Sequence, residues 1–339
     1  MGNISVLVKQ RVKMSIRWGT VCALAVALLV APQASNSYAA SANNSPNTLK
    51  VSPVRTDVSI PPGTSKSVQT TITNLTKSAI TVTPVENDFV AGDERGTPAL
   101  ILNANEFAPT HSLKRYMAPL SNVTIPANQA KTVNVVINVP KDAQPGGYFG
   151  AIRFAPSSPD GSAQVNLSTS VALIILMTVP GPTVEKLTLT NFDIQQKGKT
   201  DAFFQNSENL QVALRFKNDG NVQEGPFGKI SVKQGDRVVY QKDFNNKNPR
   251  DMVLPDSARR WEVPLKDIGG FGNYTVYATF TYGAKNETIQ VSKSFWIIPL
   301  SYIIFAVLGL LVFILIIVGI WFFLRSYKRR IVRSHSRRR

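Results

Sequence analysis

From Leu300 to Leu324 the chain runs for 25 residues without a charge, and eight basic residues crowd the fifteen positions that follow. A bilayer hydrocarbon core of roughly 30 Å is crossed by about 20 apolar helical residues. A single segment satisfies its backbone polar groups there only as an α-helix. The spacing therefore predicts one transmembrane helix over residues 300–324. The basic tail, 325–339, is expected on the cytoplasmic side by the positive-inside bias, where it also attracts anionic lipid headgroups. Fifteen residues are too few for a cytoplasmic domain.

The other end fits export. Lys9, Arg11, Lys13 and Arg17 precede an apolar run from Val21 to Ala31, and Ser37-Tyr38-Ala39 offers small residues for cleavage before Ala40. Residues 1–39 are expected to be a signal peptide, with an uncleaved signal anchor as the alternative; both leave the middle of the chain outside the cytoplasm. Cys22, the only cysteine, lies in this leader, so the mature chain is expected to use neither disulfides nor thiol chemistry. The formal charge of +17 is concentrated at the two ends. Removing their 12 basic residues from 38 leaves 26 against 21 acidic ones, so nucleic acid is not an expected partner.

Between the ends, residues 40–47 read as a polar leader, and from there period-2 patterns recur in short runs bounded by Pro, Gly and Asn. Val68–Thr73, Thr132–Val139, Gln211–Phe216, Tyr274–Phe280 and Thr288–Phe295 are expected strands, and short helical turns fit only near Ala104–Tyr116. Val171–Val179 is apolar but for Thr178, as in a strand buried on both faces. The order of features repeats. Ile72-Thr73-Asn74, Ile125-Pro126, Val139-Pro140 and Gly147-Tyr148 are followed by Phe216-Lys217-Asn218, Leu254-Pro255, Val263-Pro264 and Gly272-Asn273-Tyr274. Each Tyr can return its hydroxyl to the backbone, as in the tyrosine corner of immunoglobulin-like sandwiches. The fold class is therefore all-β: two tandem immunoglobulin-like β-sandwich domains, 48–180 and 184–296, joined by Pro180-Gly181-Pro182 and followed by one transmembrane α-helix. Trp296 and Tyr302 outside, with Trp321 and Tyr327 inside, suit the interfacial aromatic belts.

Chemistry is sparse. His111 is the only histidine of the exported part, which excludes the usual zinc sites and leaves a loop residue as its simplest role. Asp88, Asp93 and Glu94 read as a polar turn more simply than as a catalytic pair. Asn218-Asp219-Gly220-Asn221 lacks the further acidic residue of a calcium loop. Five Asn-X-Thr/Ser matches, at Asn74, Asn122, Asn166, Asn273 and Asn286, arise freely in such a composition. No catalysis, cofactor or metal is expected. Lys114, Arg115 and Tyr116 mix cations with an aromatic ring and form the one candidate ligand-binding set, suited to an anionic or glycan partner. The competing reading packs Leu113 and Met117 on the core and leaves Lys114 and Arg115 solvated.

The stretch from Ser112-Leu113-Lys114 through Val123-Thr124-Ile125-Pro126, Lys131-Thr132-Val133 and Val139-Pro140-Lys141-Asp142-Ala143 to Pro145-Gly146-Gly147-Tyr148-Phe149-Gly150-Ala151-Ile152 resembles the N-terminal domain of the bacterial WxL-interacting cell-surface proteins. The resemblance implies a peptidoglycan-binding sandwich, a second sandwich for partner binding, and one C-terminal helix with a basic tail. The expected function is a plasma-membrane-anchored, single-pass surface protein whose sandwiches bind cell-wall polymer or other surface proteins. The alternative is a chaperone-like accessory factor for their export or assembly.

Overall fold

The computed structural model describes residues 48–157 and 170–335, with side chains described as far as Arg325. The expected signal peptide, the polar leader, Cys22 and the Asn166 match lie outside the described residues.

The chain is mostly β, with four sheets forming two sandwich-like domains and one long apolar helix at the C-terminal end. In the first, β1 (Leu49–Ser52), β3 (Ser65–Asn74) and β7 (Ala130–Asn138) form a sheet in the order β1-β3-β7. Facing it, β2 (Arg55–Ser59), β9 (Val171–Val179), β8 (Gly146–Pro156), β4 (Ile80–Ala91) and β5 (Pro98–Leu100) pair in that order, and β6 (Val123–Ile125) adds to β4. Alternation does the sorting. On β7, Val133, Val135 and Ile137 face inward while Thr132, Asn134 and Val136 face out, so one residue of slip would reverse the buried set.

The second sandwich layers β10 (Leu187–Gln196), β11 (Lys199–Thr200), β13 (Leu210–Asn218) and β16 (Ser257–Pro264) over a five-stranded sheet. That sheet contains β12 (Phe203–Phe204), β14 (Phe227–Gln234), β15 (Arg237–Phe244), β17 (Gly272–Tyr282) and β18 (Glu287–Ile297). Between the two sheets Phe216 and Phe244 stack at 6.2 Å, and each meets Phe280 and Trp261 edge-on with ring centroids 5.1 to 5.7 Å apart. The helix α1 spans Leu300–His335, and mean hydropathy reaches 3.4 within Leu300–Arg325. It runs beyond residue 324 into the basic segment.

The strands expected from alternation all form, and β9 keeps the expected bounds. Its two faces serve different cores. Leu173, Ile175 and Met177 fill the first sandwich, whereas Ile174 and Leu176 lie with Phe89, Phe149, Met252 and Leu254 at the junction between sandwiches. The repeat has a shared physical basis. Asn74 donates from Nδ2 to the carbonyls of Ser78, Ile125 and Pro126 and accepts Thr76 N–H at 2.9 Å. Asn218 likewise donates to Val222 and Val253 and accepts Gly220 N–H at 2.9 Å. Each buried amide replaces a strand ladder at a corner, where backbone groups must still find partners. The Tyr148 hydroxyl donates to Gln144 O at 2.8 Å and that of Tyr274 to Gly270 O at 3.3 Å, four residues back in both.

Candidate functional site

An edge strand exposes one row of backbone donors and acceptors, and folded proteins usually shorten, charge or cover it. Most edges here are managed in these ways. β1 has four residues, β5 three, and β11 and β12 two each. β2 carries Arg55 and Asp57, paired at 2.5 Å; β15 carries Arg237, Lys242 and Asp243. β16 is covered where Arg260 N–H donates to Glu94 O across the junction.

β7 is different: nine residues, Ala-Lys-Thr-Val-Asn-Val-Val-Ile-Asn, with Lys131 its only charge. Its register on β3 pairs Thr64 with Val139 and Asn74 with Gln129 at the ends, where Val139 N–H and Asn74 N–H donate to Thr64 O and Gln129 O. Hydrogen-bonded pairs recur every second residue in an antiparallel ladder. Odd-numbered residues therefore bond to β3, and Ala130, Thr132, Asn134 and Val136 turn N–H and C=O outward. One outward group has a partner: Val136 O accepts Ala118 N–H at 2.9 Å, beside a bridge between Met117 and Ile137. Among the described residues, the outward row from Ala130 to Asn134 has no backbone partner.

The segment that closes the upper end of β7 contains the three residues singled out from the sequence. Lys114–Tyr116 form a single 3₁₀ turn, with Leu113 fully buried and Met117 nearly so. Lys114 Nζ donates to Ala104 O at 2.6 Å and Glu106 O at 3.2 Å, 4.9 Å from the Phe107 ring. The Arg115 guanidinium lies 4.5 Å from the same ring and is exposed. Tyr116 turns the other way, 5.1 Å from Tyr148. Burial and the Tyr116 neighbour push the Tyr148 phenol well above its ordinary range. Lys114 and Arg115 thus share Phe107 while Tyr116 sits behind them on the corner.

His111 adopts φ 60° and places Nδ1 2.6 Å from Gly147 O, while its own carbonyl accepts Phe149 N–H at 2.8 Å. A carbonyl can only accept, so Nδ1 carries the proton and the ring pins the loop to β8. The acidic residues separate into three roles. Asp88 is buried and holds Ala108 N–H and Lys114 N–H. Asp93 closes its own turn; the Thr97 N–H holds its carboxyl below the usual range. Glu94 reaches the second sandwich, where a two-pronged bond from Arg215, at 2.9 and 2.6 Å, holds its carboxyl down. The Asn218–Asn221 turn is also part of the junction: Asn221 donates to Pro145 O at 3.0 Å and its carbonyl accepts Gly147 N–H.

No protein-family model matches the chain, and no curated protein matches it. Solved structures similar to it include the class 5 fimbrial chaperone CfaA, at 12% identity over 73% of this chain and 98% of that one, with a TM-score of 0.36. The Pseudomonas aeruginosa CupB2 chaperone matches at 9% identity over 72% and 99%, TM-score 0.32. The Escherichia coli chaperone DraB matches at 17% over 74% and 96%, TM-score 0.29. Likenesses of this size leave the chemistry of the site to its own residues.

Proposed function

We propose that the chain is a single-pass, membrane-anchored accessory protein of the bacterial surface that holds an extended segment of another exported protein against β7. The observation that carries this reading is the outward row of backbone groups at Ala130, Thr132 and Asn134 on a long, nearly uncharged edge. Strand addition draws affinity from such a row and specificity from side-chain pockets along it. The sandwiches stand outside the cytoplasm, α1 fixes them to the plasma membrane, and the basic tail remains inside. Cell-wall polymer is the second reading, supported by the exposed Arg115 above Phe107 and by the resemblance to wall-associated surface proteins. It has less chemistry to draw on, because Lys114 already gives its protons to two carbonyls.

The two readings separate by experiment. Thr132→Pro removes an outward N–H and one exposed hydroxyl contact to Thr71 at 3.2 Å, at a position where an edge strand tolerates Pro. Val133→Pro removes a rung to β3 and is expected to destabilise the first sandwich far more than Thr132→Pro. In the full chain in its own membrane, a photocrosslinker at Asn134 is expected to give discrete adducts with an exported protein. The adducts should vanish with Thr132→Pro while folding persists, and a crosslinker at Val238 on β15 should give none. Equal adducts at both positions, or adducts indifferent to Thr132→Pro, would refute the edge. Adducts with a second copy alone would reassign it to self-association. Saturable co-sedimentation with peptidoglycan, lost in Arg115→Glu, would establish the polymer instead.

A further inference from the structure

The end of the second sandwich nearest α1 gathers exposed aromatic rings from three separate parts of the chain. Phe203 lies on β12, 61% exposed, paired with Trp296 on β18, which is also exposed. The parallel pairing is fixed by Trp296 N–H to Ala202 O at 2.8 Å and Ile298 N–H to Phe204 O at 2.7 Å. Phe271 projects from the turn before β17 and is 50% exposed. Gly269 at φ +102° and Gly272 at φ +145° flank it; a side chain at Gly272 would collide with Gln234 Nε2. Gln234 holds the turn by donating to Phe271 O at 3.2 Å. The Phe271 ring stacks on Tyr302, in the first turn of α1, with centroids 4.8 Å apart and planes 20° apart.

We infer that Phe203, Phe271 and Trp296 form a seat that rests in the lipid headgroup layer and fixes the tilt of the second sandwich on the membrane. The inference rests on α1 spanning the bilayer. Trp296 precedes the helix by only four residues, and Phe271 touches its first turn, so these rings stand at the depth where amphipathic aromatic side chains partition. Two paired strands and one turn converge there, more than an anchoring segment alone requires. Attraction by charge is not the cause. Lys197 and Lys199 line one hollow with Asp201 and Glu208, Lys266 is followed by Asp267, and Lys233, Asp236 and Arg237 lie beside Gln234, so five cations stand against four anions. The seat is therefore apolar, and its engagement should depend weakly on salt.

The test uses the full chain with Cys22→Ser, reconstituted in phosphatidylcholine vesicles with nitroxide-bearing lipids. A polarity-sensitive fluorophore is placed in turn on Phe203→Cys, Phe271→Cys, Val238→Cys and Ile314→Cys. Labels at 203 and 271 should be quenched several-fold more than the label at 238 by a nitroxide at the headgroup or upper acyl chain, at low and high salt alike. The label at 314 should respond to a nitroxide deep in the acyl chain. Quenching at 314 with none above the Val238 level at 203 and 271 would overturn the seat and leave the span intact. No quenching at 314 would overturn the span, and the seat with it.

Discussion

Asp88→Ala should lower the stability of the first sandwich by about 3–5 kcal/mol, an unusually large effect for a single polar side chain. Between β6 and β5 the outer side of β4 has no strand partner among the described residues, and three consecutive side chains do the work of a ladder. Glu86 Oε1 accepts Leu120 N–H at 3.1 Å, Asn87 donates to Ile101 O at 2.8 Å, and the Asp88 carboxylate accepts Ala108 N–H at 2.9 Å and Lys114 N–H at 2.8 Å. Asp88 is fully buried, so its removal strands two backbone donors, each costing about 1–3 kcal/mol, and leaves space behind. Asp88→Asn keeps one oxygen and should lose about half as much. Denaturant unfolding gives the global figure, and amide exchange at Ala108 and Lys114 gives the local one. An unchanged midpoint with unchanged exchange, or an Asn variant as damaging as Ala, would contradict the assignment. The same segment supplies Met117 and Ala118 to the end of β7, so crosslinking at Asn134 should broaden in the Asn variant as the open edge lengthens.

The sequence reveals individual strands far better than their neighbours. Alternation marks β7, and apolarity broken only by Thr178 marks β9, because burial on one or two faces is written into side-chain polarity. The two corner tyrosines are legible for a similar reason, since each acts four residues from its own position; the two corner asparagines are legible only through the turn each closes, because their bonds to Ile125, Pro126 and Val253 reach 35 to 52 residues away. Edge status is not local. Nothing in Ala130–Asn138 says that β3 lies on one side and only Met117–Ala118 on the other; that follows from where the 101–120 segment is pinned. Asp88 is hidden by its company, since a carboxylate near Asp93 and Glu94 reads as part of a polar turn. The one available signal is its place inside Val85-Glu86-Asn87-Asp88-Phe89-Val90, a run otherwise suited to a strand. Lys114, Arg115 and Tyr116 have the right chemical types for ligand binding, but sequence could not show that Lys114 is already committed to Ala104 and Glu106. The aromatic seat escaped for the opposite reason, because Phe203 and Phe271 are far in sequence from Trp296.

Glu224→Gln should stabilise the second sandwich above pH 7 and leave it nearly unchanged near pH 4. Glu224 is buried beside a cavity of about 180 Å³ and accepts Gly283 N–H at 3.0 Å, while Glu185 accepts Ala284 N–H at 3.0 Å in the same turn. Its backbone also exchanges both hydrogen bonds with Val253. Other groups around this space are Glu287, which accepts the Tyr282 hydroxyl at 2.6 Å, and Arg250, set against Phe227. Burial pushes the Glu224 carboxyl up to about 7, with the Glu185 carboxylate and then Glu287 adding to the rise, against the opposing Gly283 N–H. The folded state therefore holds a proton that the unfolded chain releases from about pH 4.5 upward. Stability contributed by this group is greatest below that value, falls as pH rises through 7, and stays low above it. A raised carboxyl of this size corresponds to about 3 kcal/mol at the limit, reduced by any water that enters the cavity. Gln retains an oxygen for Gly283 and carries no charge, so it resembles the protonated acid at every pH. Thermal unfolding at pH 4 and pH 8, with amide exchange at Gly283 as the local readout, separates the cases. A gain confined to pH 8 supports a buried carboxyl kept for its grip on the 283–284 turn at the expense of stability. The same shift at both pH values would mean that packing, and not ionisation, distinguishes the two side chains.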